Sequence, residues 1–374
     1  MQLTFEPLGK YIRQIDERNT GLITETVLGV NIDKYFMPSV ANVIGTDLSN
    51  YKLLRNGRFA CNPMHVGRDG RLPVALYSDD IPAIVSPAYF MFEIIDKSVI
   101  ESDYLMLCFK RPDFDRMCWF RTDASVRGGI TWDDICALTI PVPPIEEQRK
   151  IVYDYQVITD RIALLRKMNE NLEAQAQMLF SKLIDNSDEV NGVFFDVIQI
   201  MGGGTPSTTE NAYWGGNIPF FTPGDIDGIF CLSTEKTLTS EGLKNCSSKL
   251  YRPKTTFITC RGTVGKVSMA GIPMAMNQTC YALTGKNNYP DYFVFEFVKF
   301  FVQSIKRKAN GGVFDAITTK DFESEKVTIP SIRQAKDYEK KVQPILDIVL
   351  LNENEVKKLD NLRFLLMATV SKKV

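Results

Sequence analysis

Few residues in this chain have the type and spacing to do chemistry. The run Arg261-Gly262-Thr263-Val264-Gly265-Lys266 superficially suggests a phosphate loop. It lacks the G-x-x-x-x-G-K-[ST] spacing, because residue 260 is Cys and residue 267 is Val. Two readings stay open for it. One is a basic hairpin facing nucleic acid, with glycines that let the backbone approach closely. The other is a plain structural hairpin. His65-Val66-Gly67-Arg68 has the same basic end. Arginine or lysine in such places reads guanine or holds phosphate. The amides of Asn277 and Gln278 match an adenine edge, although such a pair more often caps a turn. Gly202–Ser207 reads equally as a recognition loop or a flexible turn. Lys306-Arg307-Lys308 reads as a solvated helix end, with phosphate contact as the alternative, and Trp214 reads as core.

Catalytic constellations are missing from this pattern. No G-x-G-x-x-G follows a strand. Asn62-Pro63-Met64 is not the Asn-Pro-Pro-Tyr of an amino-methyltransferase, and Asp291, Glu296 and Lys299 lack nuclease spacing. His65 is the sole histidine and reads as a polar loop residue. The eight cysteines include no C-x-x-C pair, so the sequence offers no clustered metal ligands. Reduced, mostly buried thiols are the expectation. The net charge of −1 argues against a strong nonspecific polyanion binder but leaves room for local basic patches.

The elements that would position these residues occur twice. Gly128-Gly129-Ile130-Thr131-Trp132-Asp133-Asp134 leads to Thr139-Ile140-Pro141, and Gly311-Gly312 with Ile317-Thr318-Thr319-Lys320-Asp321 leads to Thr328-Ile329-Pro330. The Ile-Thr pairs are 317 − 130 = 187 apart and the aspartates 321 − 134 = 187 apart. Asp103-Tyr104-Leu105 answers Asp291-Tyr292-Phe293 at 188, and Phe59 with Val66-Gly67-Arg68 answers Phe257 with Val264-Gly265-Lys266 at 198. The offset drifts smoothly, as loop insertions would cause.

Each half reads as a β-rich domain followed by a helix. Short apolar runs broken by Gly, Pro, Asn and Asp predict strands at 83–85, 89–95, 255–259 and 266–269. Helical turns are expected near Phe5–Tyr11, Asp103–Lys110 and Asp291–Lys308. After Pro141-Val142-Pro143-Pro144, a seam steps through Tyr155, Ile158, Ile162, Leu165, Asn169, Leu172, Ala176, Leu179 and Leu183. Its +3/+4 rhythm is that of a coiled coil. A helix over 146–184 would be roughly 55–60 Å long at about 1.5 Å per residue. A poorer seam runs through Val342, Ile345, Val349, Asn352, Val356, Leu359, Arg363, Leu366 and Val370, with Pro344 expected near its first turn. In an antiparallel pair Asn169 and Asn352 would lie level and fix the register, unless either faces water at a frayed seam.

The chain thus reads as α+β: two β-rich domains in pseudo-repeat, each followed by a long helix, the helices pairing as an antiparallel coiled coil. The expected spans are 1–144 and 187–330 for the domains, 145–186 and 331–374 for the helices. No apolar stretch nears the roughly 18 residues of a membrane span. The start, Met1-Gln2-Leu3-Thr4-Phe5-Glu6-Pro7, lacks signal-peptide order, so a cytoplasmic location is expected.

A family resemblance becomes specific in the second half. Gly202-Gly203-Gly204-Thr205-Pro206-Ser207, Tyr213-Trp214-Gly215-Gly216-Asn217-Ile218-Pro219, Thr222-Pro223-Gly224-Asp225-Ile226, the Arg261–Lys266 run and Asn277-Gln278 stand in that order. This series resembles the target recognition domain of type I restriction-modification specificity subunits. Ile140-Pro141-Val142-Pro143-Pro144-Ile145-Glu146-Glu147-Gln148-Arg149-Lys150-Ile151-Val152 resembles that family's central spacer. The first half is similar less densely, through Arg18-Asn19, Leu28-Gly29-Val30, Ile84–Tyr89 and Asp103-Tyr104-Leu105. The second spacer, Ile329-Pro330-Ser331-Ile332-Arg333-Gln334, lacks the second proline pair and the Glu-Glu.

The resemblance implies a non-catalytic subunit that reads bipartite double-stranded DNA, one half-site per domain, with the paired helices setting the gap. It implies two methylation subunits and motor-nuclease subunits as partners. Those would carry the S-adenosylmethionine, ATP and Mg, with no cofactor or metal in this chain. Exposed helix residues Arg149, Lys150, Arg161, Arg166, Lys167, Glu170 and Glu173 would dock partners. Candidate DNA contacts are Arg18, Asn19, Lys34, Asn62, His65 and Arg68 in the first domain, with Thr205, Ser207, Arg261, Thr263, Lys266, Asn277 and Gln278 in the second. Helix pairing would rest on Ile158, Ile162, Leu165, Asn169, Leu172, Leu179, Val349, Asn352, Val356 and Leu359. The alternative is a protein-interaction module that dimerises through its coiled coil.

Overall fold

The computed structural model describes residues 5–41, 45–64, 66–122, 128–187, 191–308 and 316–371. It divides into two compact units. One comprises residues up to Asp160 together with those from Asp360 onward, and the other comprises Arg161–Leu359. Each is a β-rich domain joined to segments of two long helices, Ile145–Asp185 and Ile332–Ser371.

The duplication is explicit in the strand order. In the first unit a sheet runs Ile12–Ile15, Phe90–Ile94, Phe59–Cys61, Val74–Leu76. In the second, a sheet runs Ile198–Gly202, Cys280–Gly285, Thr256–Thr259, Val267–Ala270, with Phe230–Cys231 added at the edge. Phe59 and Phe257 fall on corresponding strands, opposite Phe92 and Ala282. A smaller sheet also recurs around one parallel pair: Val27–Val30 with Ala83–Val85, and Trp214–Phe221 with Ala275–Met276. Each domain closes on itself by a short antiparallel pair, Phe5–Pro7 with Thr139–Pro141 and Gly192–Val193 with Lys326–Val327.

The repeated Ile-Thr…Asp signature is a helix start. Thr131 caps the Trp132–Ala137 helix by accepting from Asp134 N at 3.1 Å. Thr318 N donates to the Asp321 carboxylate at 2.7 Å ahead of the Thr319–Ser324 helix. Both satisfy amide groups that a helix terminus leaves unpaired. The spacer glutamine has an equally local cause. Gln148 is fully buried, donates to the Val99 and Pro143 carbonyls at 2.9 and 2.8 Å, and accepts from Glu101 N at 3.0 Å. Its counterpart Gln334 only closes a turn on Ser331.

The second unit's core is aromatic. Helix Asp291–Lys308 buries Tyr292, Phe293, Phe295, Phe297 and Phe301, and Phe194 stacks on Phe297 at 4.4 Å. Phe180 of the first long helix packs against Phe293 and against Tyr338 of the second. In the first unit one helix becomes two, Ser102–Phe109 and Pro112–Phe120, because Pro112 starts a new helix.

Within the second unit the long helices run antiparallel. Arg161 pairs with Glu355 at 2.7 Å, and the Tyr338 hydroxyl donates to the Ala176 carbonyl at 3.2 Å. Between these, Asn352 Nδ2 donates to Asn169 Oδ1 at 2.8 Å, the level pairing expected of the seam. Ile162, Leu165, Ala176, Val342 and Val349 are buried, while Leu172, Leu179, Val356 and Leu359 are half-buried. In the first unit Ile158 is buried and Val370 enters the domain core. Two expectations need correction. Pro344 lies well inside the second helix, not in its first turn. It is exposed and cannot donate to the Lys340 carbonyl. Around Phe5–Tyr11 a strand, Phe5–Pro7, precedes the helical turn at Leu8–Lys10; Pro7 disfavours the helical conformation at Glu6, so the chain before the turn stays extended.

Candidate nucleic-acid interface

Three loops of the second domain are tied together at one end of its larger sheet. The glycine run exists because backbones touch there. A Cβ on Gly203 would lie 2.1 Å from the Asn277 carbonyl oxygen, and one on Gly204 would lie 2.8 Å from Ser247 N. Gly204 N donates to the Met276 carbonyl at 3.0 Å. The Thr205 hydroxyl then donates to Gln278 Oε1, which fixes the orientation of that exposed amide. Ser207 is exposed and bonded to Thr209 at 2.9 Å. Trp214 anchors this loop by donating to the Ser207 carbonyl at 3.0 Å and packs edge-on against Phe220.

Asn277 is a turn cap: its Oδ1 accepts from Thr279 N at 3.1 Å and Thr279 Oγ1 at 2.8 Å. That turn joins the hairpin through Cys260 N donating to the Thr279 carbonyl at 2.8 Å. Inside the hairpin, Thr259 Oγ1 donates to the Thr263 carbonyl at 2.5 Å and accepts from Lys266 N at 2.9 Å. Gly262 and Gly265 both take φ of +78°, which a side chain would strain. Arg261, Thr263 and Lys266 are left exposed. A Cβ on Gly265 would lie 3.3 Å from Lys306 Cε, so the end of the Asp291–Lys308 helix adjoins the hairpin. Arg307 is exposed beside Lys306; the Lys308 side chain lies outside the described residues. Among the described residues, none of Arg261, Lys266, Lys306 and Arg307 pairs with a carboxylate. This surface therefore offers cations, hydroxyls and one oriented amide. The neighbouring thiols are unreactive, because burial pushes Cys260 up to about 12 and Cys280 up to about 11.

The first domain departs from expectation. Asn19 is completely buried and clamps a loop, donating to the Thr24 and Leu48 carbonyls at 2.9 and 3.2 Å. Lys34 is also interior, its ammonium held by Asp115 and the Phe109 carbonyl, both at 2.6 Å. These two side chains hold the fold and do not present a reading surface. Arg18 is half-buried between Asp16 and the Asn50 carbonyl. Asn62 turns back on Met64 N at 3.1 Å. Arg68 is exposed but paired with Asp69 at 2.6 Å. His65 lies outside the described residues.

Sequence reasoning passed over a different group on this domain. The helix Pro112–Phe120 ends in Trp119 and Phe120, 47% and 77% exposed, beside exposed Arg116 and Arg121. The available signal was the offset: Trp119 and Phe120 stand 306 − 119 = 187 and 307 − 120 = 187 residues before Lys306 and Arg307. Among the described residues, no group of His, Cys, Asp or Glu is placed to hold a metal ion, and no helix is long and apolar enough to cross a membrane.

This architecture has known relatives. Residues 194–361 match the family model for the type I restriction modification DNA specificity domain. Along nearly its whole length the chain is similar to type I restriction-modification specificity subunits. It is 23% identical to a putative type I restriction enzyme MjaX specificity subunit of Methanocaldococcus jannaschii, over 90% of this chain and 82% of that one. It is 22% identical to the HindI specificity subunit of Haemophilus influenzae, over 90% of each. A shorter match, 28% identical, covers 36% of this chain and 33% of the MjaIX specificity subunit of M. jannaschii. The fold is like that of a type I restriction-modification S subunit from M. genitalium, with a TM-score of 0.62 at 14% identity over 99% of this chain and 96% of that one. The interaction-module alternative is not favoured by these likenesses.

Proposed function

We propose that this chain is the target-reading subunit of a type I restriction-modification complex. Each domain reads one half of a bipartite duplex site. Partner subunits carry out methyl transfer and, where the system restricts, cleavage. The carrying observation is the second-domain surface: a hairpin bearing Arg261 and Lys266 adjoins the helix end with Lys306 and Arg307, none of them with a carboxylate partner among the described residues, and is hydrogen-bonded to the turn that carries the exposed Gln278 amide held by Thr205. Cations positioned by hairpin and helix end suit phosphates, which set register, and an oriented amide suits an adenine edge in the major groove.

The chain supplies no catalytic group of its own in this reading. S-adenosylmethionine, ATP and Mg belong to two methylation subunits and to motor-nuclease subunits. Those partners dock on the long helices. Within the second unit these expose Leu164, Met168, Met178 and Leu351 alongside Arg161 and Lys167, and exposed apolar residues among charges suit a subunit interface.

Selection from random duplexes by the assembled chain and methylation partner tests the reading. A two-part motif with a fixed gap, bound less tightly as salt rises, is expected. Enrichment of no motif by an assembled complex would overturn it.

A further inference from the structure

We propose that Trp119 and Phe120 form an apolar DNA contact in the first domain, at the place where the second domain uses Lys306 and Arg307. The inference rests on the target-reading function above and adds a difference in how the two domains hold their half-sites. Both domains end a helix beside the same turn. In the second, Gly265 abuts the Lys306 side chain. In the first, the corresponding Gly67 receives Trp119, whose indole Nε1 donates to the Gly67 carbonyl at 3.1 Å. The common 187-residue offset that relates Ile130 to Ile317 also relates Trp119 to Lys306 and Phe120 to Arg307.

The pair is held, not loose. The rings meet edge-on with centroids 5.2 Å apart, and the Thr122 hydroxyl donates to the Trp119 carbonyl at 2.8 Å. With the indole N–H satisfied, both rings still face solvent, at 47% and 77% exposure. Exposing two large rings side by side is unfavourable without a partner. The surroundings identify that partner. Arg116 lies one helical turn before Phe120 on the same face. Arg121 follows directly, 3.8 Å from Asp134, and Arg68 follows Gly67. A rigid aromatic pair with Arg116 on its own helix face, and with Arg121 and the Asp69-paired Arg68 next to it in the chain or at its Gly67 contact, is complementary to a polyanion with apolar edges. DNA meets that description: phosphates for the arginines, and thymine methyls or a partly unstacked base step for the rings.

The test compares the full-length chain in complex with its methylation partner, bound to a duplex carrying its own motif, from 50 to 200 mM salt. W119A/F120A is expected to weaken binding about tenfold or more at every salt concentration with the slope unchanged, since a base–aromatic contact is not ionic. K306A/R307A is expected to flatten the slope by about 0.9 for each phosphate no longer neutralised. Phe120→Ala alone, at the more exposed ring, guards against a folding defect and is expected to show part of the weakening. Unchanged affinity in both ring variants would overturn the inference, as would loss of the methylation partner in place of DNA. Failure of the wild-type complex to bind any duplex would instead overturn the target-reading function itself, and the inference with it.

Discussion

Glu296→Gln should stabilise the second unit above pH 7 and leave it unchanged near pH 4, below the ordinary carboxyl value. Glu296 is buried in the Asp291–Lys308 helix, and burial pushes its carboxyl up to about 7, against an ordinary 4.5. Lys299, 3.6 Å away, pulls the other way, but its ammonium is closer to Glu173, at 2.5 Å. The Glu296 Oε1 atom has no hydrogen-bond partner. Between pH 4.5 and 7 the folded protein holds this proton more firmly than the unfolded chain does, so stability falls as pH rises through that window. The shift, 7 − 4.5 = 2.5, corresponds to about 3 kcal/mol at most once the group is ionised. A neutral amide in place of the carboxylate removes that cost without breaking a hydrogen bond. Hydrogen exchange of peptides spanning Asp291–Lys308, corrected for intrinsic rates, should show E296Q better protected than wild type at pH 8 and equal to it at pH 4. Weaker protection at pH 8 would refute the reasoning, because it would mean that the Lys299 pairing outweighs burial. Glu353 provides the contrast. It too is pushed up to about 7 by burial, but its two oxygens accept from Ile229 N and Phe230 N, both at 2.9 Å. Glu353→Gln sets an amide NH2 against one of those donors and should destabilise by about 1–3 kcal/mol.

Three further outcomes are expected. Asn352→Leu alone strands Asn169 and should lower thermal stability by about 1 kcal/mol, whereas N169L/N352L should raise it while loosening helix register, seen as mixed cross-links between the helices. R261A/K266A, which leaves two phosphates without their cations, should reduce the salt slope by about 1.8, so the fall in affinity between 50 and 200 mM shrinks about 12-fold; an unchanged slope in binding titrations would count against the hairpin. Matched seven-residue insertions in both long helices should change the gap in the methylated motif and leave both half-sites intact, and an unchanged gap would sink the helices' role as a ruler.

The fold was legible where its cause is local. The seam from Ile158 to Leu183 is a periodicity, and Asn169 and Asn352 could be matched because an antiparallel pair dictates their level. The repeated Thr-x-x-Asp was visible before its reason, the helix cap, was known. The site was harder to read. Asn19 and Lys34 have polar side chains that sequence alone places outside. The Asp115 carboxylate and loop carbonyls that hold them inside come from segments remote in the chain. The glycine run was ambiguous for the same reason, since Gly203 is required by the Asn277 carbonyl, which comes from a distant strand end. Trp119 and Phe120 went unremarked because aromatic residues at a helix end read as core, and only their exposure separates them from it.

Long-read methylome sequencing tests the central claim most directly, in cells expressing this chain with its methylation partner beside cells carrying the partner alone. The account predicts a new two-part methylated motif with a fixed gap only where the chain is present. A fully assembled complex that adds no motif, or the same motif in cells without the chain, would contradict it.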